Sequence, residues 1–144
     1  MQIQKYMAKI SGPLLDRIDL HIEVPAVKYK ELASKEAGEC SEKIRERVIL
    51  ARGIQKKRFE GRKGTFCNAD MQSKDIRSYC KLDSAGEELL KMAITKLGLS
   101  ARAYDRILKV GRTIADLAHS ADIRPEHISE AIQYRSLERN LWQT

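Results

Sequence analysis

The chain has 144 residues, of which 42% are hydrophobic and 33% charged, a balance that excludes a disordered chain. No run of about 18 apolar residues argues for a membrane span. Its 27 basic and 20 acidic residues give a net charge of +7, which suits an anionic partner such as nucleic acid or a nucleotide. The three cysteines and three histidines match no zinc-binding spacing, so we expect reduced thiols, no metal site and a cytoplasmic location.

The first patterned stretch is PLLDRIDLHIEVP, residues 13–25. Hydrophobic residues at positions 18, 20, 22 and 24 alternate with polar ones, which predicts a β-strand that ends at Pro25. No other stretch shows a strand pattern, and an isolated strand leaves its backbone hydrogen-bonding groups unpaired. We therefore expect one orphan strand that pairs with a sheet not contained in this chain.

Arg17 lies directly before this predicted strand, at the end of a helical turn that we expect over residues 14–17. Such a turn would place the guanidinium of Arg17 at its exposed end. The alternative interpretation is an ion pair with Asp16 or Asp19, because both carboxylates are close in sequence.

A long helix is predicted over residues 41–59, with Ser41 as its cap. Ile44, Val48 and Ala51 recur at helical spacing and predict its buried stripe. The end of this helix and the residues after it form the densest basic run of the chain. Its basic residues are Arg52, Lys56, Lys57, Arg58, Arg62 and Lys63. The run favours either contact with a phosphate backbone or a solvated helix end, where cations suit the helix dipole.

A loop over 61–71 and a short helix over 72–80 come next. We expect Phe66 and Cys67 to pack into the core. Because only 6% of residues are aromatic, no stacking platform for bases is evident.

Two further helices are bounded by local signals. Ser84 and Glu87 have the spacing of a capping box, which predicts a helix over 85–97. Gly98 follows as the residue that turns left-handed after its end. In the last clear helix, Pro125 is at the favoured first position, and we expect His127 to lie on the surface.

The stretch GLSARAYDRILKVGRTIADLA, residues 98–118, predicts the helix around which the others are organised. Ser100 can cap its start, and the expected apolar stripe is Ala103, Ile107, Val110, Ile114 and Leu117. Arg102 falls in the first turn, where the helix dipole favours acids. An arginine there indicates either a solvated side chain or a nearby anion.

Three stretches together resemble a known family. SGPLLDRIDLHIEVP (11–25) is similar to the end of an AAA+ core, LSARAYDRILKVGRTIADL (99–117) resembles a sensor-2 helix, and EHISEAIQYRSLER (126–139) resembles a closing lid helix. Their order and separation also match. Over nearly its whole length the chain resembles the ComM (YifB) family of magnesium-chelatase-like AAA+ ATPases.

The resemblance implies a mainly α fold, in which a helical bundle, the AAA+ lid, is preceded by the orphan strand. Residues 1–26 would be the C-terminal end of an α/β AAA+ core, and residues 27–144 would be the lid domain. The chain would then be a C-terminal fragment whose upstream core lies earlier in the same polypeptide.

The resemblance also implies roles for two arginines. Arg17, in the LLDR motif, would be an arginine finger that acts in trans on the γ-phosphate bound by a neighbouring subunit. Arg102, in the SAR motif, would be the sensor-2 arginine that contacts the nucleotide of its own subunit. Both roles need a cation that does not titrate and whose donors fit phosphate, as a guanidinium does. Arg112 matches another basic position of this helix, to which we assign no nucleotide role, and Gly111 stands where the family usually has alanine.

The implied function is that of a ring-forming ATPase, expected to be a homo-hexamer, which binds ATP with Mg²⁺ in its full-length form. The sequence contains no GxxxxGK[ST] loop, so we expect this chain alone to bind no cofactor and to be inactive. The ComM family is linked to natural transformation and to DNA helicase or branch-migration activity, which makes DNA the expected partner. One alternative is a chelatase-like ATPase that remodels a protein. The other is a free-standing basic helical binding module, but a complete module would not contain an orphan strand.

Overall fold

The bundle is formed by five α-helices between residues 38 and 135. They are α1 (Ser41–Arg58), α2 (Ser73–Tyr79), α3 (Ser84–Leu97), α4 (Ala101–Leu117) and α5 (Pro125–Gln133), with a 3-10 turn over Asn68–Asp70. The computed structural model describes residues 9, 14, 17–27 and 38–135. The predicted mainly α fold is confirmed.

The centre of the bundle is α4, which packs against α1, α2, α5 and the 3-10 turn, while α3 packs against α5. Its buried face contains Ala103, Ile107, Gly111 and Ala115, which are spaced four residues apart. This face is rotated from the predicted stripe, since Leu117 is exposed. Gly111 of this face lies against α5. The buried apolar core consists of Phe59, Met71, Ile76, Cys80, Leu90, Ile107, Leu108, Ala115, Ile123, Ile128 and Ala131.

Gly111 has a packing role in this contact between α4 and α5. A Cβ atom at this position would lie 2.9 Å from Cδ1 of Ile128, which is fully buried. The absence of a side chain therefore lets α5 approach α4 closely, which offsets the lower helix propensity of glycine.

Local signals located most helix ends correctly. Oγ of Ser100 accepts a hydrogen bond from the N–H of Ala103 at 3.2 Å, and Gly98 has a left-handed φ of 63°. Pro125 is the first residue of α5. The predicted capping box of α3 is wrong by one residue. Its cap is Asp83, whose Oδ1 accepts from the N–H of Gly86 at 2.7 Å.

The first half of α1 lies outside the core. Residues 41–50 are all exposed, including Ile44 and Val48 of the predicted stripe, and burial begins at Ala51. Cys40 occupies the cap position, without a side-chain hydrogen bond, so the prediction that Ser41 caps the helix is also wrong. Only the second half of this helix contributes to the bundle.

Residues 18–24 form neither a helix nor a strand in the part of the chain that the structure describes, so the predicted strand is absent there. An alternating pattern gives a strand only when a second strand supplies hydrogen bonds. Here the N–H of His21 instead donates to the carbonyl of Tyr134 at 2.8 Å. This segment is thus bonded to the end of α5.

Two expectations about single side chains are corrected. Phe66 is 75% exposed and does not pack into the core, whereas Cys67 is half-buried. His127 is buried because its Nδ1 accepts a hydrogen bond from the N–H of Arg124 at 3.0 Å, at the start of α5. No helix among the described residues is both long and apolar enough to cross a membrane.

Candidate functional site

Arg102 is the second residue of α4 and its side chain points into solvent. The first turn of α4 contains no acidic residue. In the described part of the chain, the guanidinium of Arg102 makes no ion pair or side-chain hydrogen bond. A cation held at the positive end of a helix dipole, without a protein partner, is in a position that an anionic ligand would stabilise.

Arg17 is also exposed. Its N–H donates to the carbonyl of Leu14 at 3.0 Å, which closes the expected turn. The carboxylate of Asp19 is bound by Arg106 instead of Arg17, and Asp16 lies outside the described residues. Within those residues, the guanidinium of Arg17 makes no ion pair or hydrogen bond.

Residues 17–27, here called the docking segment, are held on the bundle by one ion pair and two hydrogen bonds. Arg106 of α4 pairs with Asp19, and Nη1 of Arg135 donates to the carbonyl of Ile18 at 2.9 Å. The third contact is the hydrogen bond from His21 to the end of α5 described above. The helices therefore fix the position of the backbone directly after Arg17.

The docking segment relates the two candidate arginines to each other. Arg106 is one helical turn after Arg102, about 6 Å further along the axis of α4. Its partner Asp19 is two residues after Arg17. The structure thus holds the segment that carries Arg17 against the helix that carries Arg102.

The basic run divides into two groups. One group is exposed and makes no ion pair among the described residues, and it consists of Arg52, Lys56, Lys57 and Lys63. The other group, Arg58 and Arg62, is used in contacts within the bundle. Only the first group is fully available to an anionic partner.

Arg58 lies at the end of α1 and points inward, with 13% of its side chain exposed. Its Nη2 and Nη1 donate to the two carboxylate oxygens of Asp116 at 2.5 and 2.7 Å. Nη1 also donates to Oδ1 of Asn68 at 2.8 Å. The hydrogen bond to Asp116 raises the pKa of Arg58. This geometry assigns Arg58 to the interior of the bundle.

Arg112 is the second cation on the same buried carboxylate. Its Nε donates to Asp116 at 3.1 Å, and its Nη atoms donate to the carbonyls of Ser120 and Ala121 at 2.7 and 2.8 Å. Burial lowers the pKa of Arg112, because the charged form loses contact with water. Arg112 therefore stabilises the chain after the end of α4.

Arg62 is partly exposed and is bound by α2. It pairs with the buried carboxylate of Asp75, and its guanidinium carbon lies 5.5 Å from the ring centroid of Tyr79. The ring of Tyr79 in turn meets that of Phe59 edge to face, with centroids 5.5 Å apart. Arg62 is thus held at the surface by contacts of its own.

Two residues of this arrangement were not predicted from the sequence. Asp116 was open to detection, because Arg112 and Asp116 are four residues apart on one helix face. Arg135 falls in the stretch YRSLER, but nothing local indicates that its partner is Ile18. Within the described ranges, no group of three or more His, Cys, Asp or Glu side chains could hold a metal ion.

Comparison with protein families gives two matches that together cover most of the chain. Residues 38–135 match the family described as magnesium chelatase, subunit ChlI C-terminal. Residues 1–32 match the family described as magnesium chelatase, subunit ChlI. The resemblance predicted from the three motifs is confirmed by these matches and by the similar proteins that follow.

Similar curated proteins come from several bacteria. The chain is 45% identical over 141 residues to competence protein ComM of Haemophilus influenzae, and 40% identical over 141 residues to uncharacterized protein YifB of Escherichia coli. It is 38% identical over 143 residues to uncharacterized protein YifB of Salmonella typhimurium. Each alignment covers 97% of this chain and 27% of the relative, so the chain spans about a quarter of the length of these relatives.

Proposed function

The chain belongs to the magnesium chelatase subunit ChlI C-terminal family, and on that premise we propose that it is the lid part of a chelatase-like AAA+ ATPase that moves along DNA. Residues 1–26 would complete the ATPase core, and residues 27–144 would form the lid. One family match ends at residue 32 and the other begins at residue 38. This supports a division of the chain a few residues after residue 26.

The observation that carries the proposal is the position of Arg102. It is an exposed cation in the first turn of α4, without an acidic neighbour in that turn. Its permanent charge and forked donors fit the oxygens of a triphosphate. As the sensor-2 residue, it would contact the ATP of its own subunit and transmit the state of that nucleotide to the lid.

Arg17 would serve the neighbouring subunit of a ring, which we propose to be a homo-hexamer. Its exposed guanidinium is free to leave the surface of its own subunit, while the docking segment keeps its backbone against the bundle. In the neighbouring site it would stabilise the charge that develops on the γ-phosphate during transfer. ATP with Mg²⁺ would supply the phosphoryl group, and no Mg²⁺ ligand is assigned to this chain.

DNA is the proposed substrate because the exposed basic residues of α1 and the following loop match a phosphate backbone in charge. These residues are Arg52, Lys56, Lys57 and Lys63. Arg58 does not belong to this surface, since the buried carboxylate of Asp116 binds it. Arg62 is retained as a partly exposed neighbour of the cationic surface.

The test uses the full-length protein, which we propose carries a phosphate-binding loop upstream of this chain. We expect its ATP hydrolysis to rise when single-stranded or branched DNA is added. Hydrolysis that is indifferent to DNA would favour remodelling of a protein, and no hydrolysis from the folded protein would overturn the AAA+ assignment. The 144-residue chain alone should bind ATP only weakly, and a submicromolar affinity would contradict the missing phosphate loop.

The roles of the arginines are tested in the same full-length protein. Arg17→Ala should abolish hydrolysis while nucleotide binding remains, and Arg102→Ala should weaken nucleotide binding itself. Arg124→Ala is the matched control, because the side chain of Arg124 is exposed and makes only a long surface ion pair with Glu126, at 3.8 Å. Normal ATP hydrolysis by the Arg17→Ala variant would contradict the arginine-finger role.

A further inference from the structure

A cleft of about 660 Å³ lies between the second half of α1 and the loop that follows it. Its lining combines four basic side chains, Arg52, Lys56, Lys57 and Arg62, with the ring of Phe66. Glu60 is the one acidic residue of this lining. The cleft therefore offers both positive charge and an aromatic surface.

Phe66 is the unexpected feature of the cleft. Full burial of a phenylalanine side chain gains about 1.5–3 kcal/mol, yet this ring is 75% exposed. Its backbone is nevertheless held in place, because the N–H groups of Phe66 and Cys67 donate to Oδ2 of Asp70 at 2.9 and 3.1 Å. These hydrogen bonds lower the pKa of Asp70, because they stabilise the ionised carboxylate that accepts them.

The cations line the same cleft as this ring. Arg52 and Lys56 are four residues apart and therefore lie on one face of α1, with Lys57 beside them. All three are exposed and make no ion pair in the described part of the chain. Arg62 forms a fixed wall, because Asp75 and Tyr79 hold it.

Gly53 adds open space to the same cleft. It lies in the interior of α1 and lines the cleft, at a cost of up to about 1 kcal/mol relative to alanine. A Cβ atom there would meet nothing within 4 Å, so packing of the protein does not require a glycine. Because Gly53 has no Cβ atom, a bound molecule in the cleft could approach the backbone of α1 closely.

We propose that this cleft binds single-stranded nucleic acid, with backbone phosphates on Arg52, Lys56 and Lys57 and one base stacked on Phe66. The proposal rests on the proposed DNA-moving function for its substrate class. A duplex does not offer a free base face to an exposed ring, whereas an unpaired strand does. An acidic protein segment would use the cations but would leave the aromatic ring without a partner.

The test measures binding by fluorescence anisotropy, with the full 144-residue chain and no ATP. The probes are a labelled oligo(dT) of about 15 nucleotides, a duplex of the same length and a poly-glutamate peptide. We expect the single strand to bind more tightly than the duplex or the peptide. A peptide or duplex bound as tightly as the oligo(dT) would overturn the proposal.

Two sets of variants separate stacking from charge. Phe66→Leu should weaken binding of the single strand by about 5-fold to 150-fold with little change in salt dependence, while Phe66→Trp retains it. Replacement of Lys56 and Lys57 by glutamine should weaken all probes and reduce the slope of log affinity against log salt by about 1.4 for the single strand. An unchanged affinity of the Phe66→Leu variant for the oligo(dT) would remove the stacking role.

Matched controls come from other exposed positions of the same chain. Tyr104→Leu removes an exposed aromatic ring on α4, and replacement of Lys91 and Lys96 by glutamine removes two exposed charges on α3. We expect both controls to leave oligo(dT) binding unchanged. Because no step of this assay needs ATP, its outcome is independent of whether Arg17 and Arg102 act on a nucleotide.

Discussion

The guanidinium of Arg135, which is 1% exposed, donates from Nη1 to the carbonyl of Ile18, 117 residues earlier in the chain. A second hydrogen bond runs in the opposite sense, from the N–H of His21 to the carbonyl of Tyr134. The end of α5 and the docking segment therefore each donate to and accept from the other. Any displacement of α5 would move the backbone that carries Arg17.

Replacement of Arg135 by methionine should loosen this attachment. Methionine keeps much of the apolar volume but removes a charged donor, whose hydrogen bonds are typically worth about 1.5–3 kcal/mol. We expect the free energy of unfolding in urea to fall by about this amount. The amide proton of His21 should also exchange faster with solvent, as measured by NMR.

The control for this variant is Arg124→Met. Arg124 lies on the surface, and exposed ion pairs such as the one with Glu126 are worth less than about 1 kcal/mol. Its replacement should leave the amide exchange of His21 unchanged. Equal exchange rates in the Arg135→Met and Arg124→Met variants would show that Arg135 does not hold the docking segment.

Asp116 offers a second test, because one buried carboxylate serves two arginines. Asp116→Asn would leave Arg58 and Arg112 inside the bundle without a counter-charge, which typically costs about 3–5 kcal/mol. We expect a correspondingly lower midpoint in urea unfolding. Asp122→Asn, at an exposed position, should change the midpoint little, and equal midpoints for the two variants would refute the stabilising role of Asp116.

The helices were predictable because their signals are local. The hydroxyl of Ser100 and the left-handed turn at Gly98 act within a few residues of the helix ends they define. The ion pair between Arg58 and Asp116 joins residues 58 positions apart, so only the packing of α1 on α4 reveals it. Residues 18–24 form no strand in the described part of the chain, since a strand depends on a partner strand, and the one we expect lies in a sheet outside this chain.

Arg102→Glu should stabilise the isolated chain. A glutamate in the first turn interacts favourably with the helix dipole, whereas the present arginine does not, and the difference is worth about 0.3–1 kcal/mol. We expect a small rise in the melting temperature, measured by circular dichroism at low salt. A fall would show that Arg102 has a structural role in the fold.

Arg106→Glu is the contrasting variant, one turn further along α4. It would replace the ion pair with Asp19 by a repulsion between two carboxylates. The melting temperature should therefore fall, and amide exchange in the docking segment should increase. A higher melting temperature for Arg102→Glu and a lower one for Arg106→Glu would indicate that Arg106 stabilises the fold and that Arg102 does not.

The candidate site was predictable in part, since both Arg17 and Arg102 belong to motifs that can be recognised in the sequence. The exposed ring of Phe66, on which we propose that a base stacks, was not predictable, because a phenylalanine beside Cys67 is expected in the core. Its exposure depends on the carboxylate of Asp70, which holds the backbone of Phe66 at the surface. Hydrogen bonds that fix a loop are thus a part of the site that residue type alone does not indicate.

The buried thiol of Cys80 predicts a loss of stability in alkali. Burial raises its pKa from the ordinary value of 9.0 to about 11. The thiol ionises at lower pH in the unfolded chain than in the folded one. The contribution of the buried thiol to the free energy of unfolding is therefore complete below pH 9 and is lost by about pH 11. This loss amounts to at most roughly 3 kcal/mol. Urea unfolding between about pH 8 and pH 11 should show this slope in the native chain and in Cys40→Ala, but a smaller slope in Cys80→Ala. Parallel profiles for all three proteins would contradict the prediction.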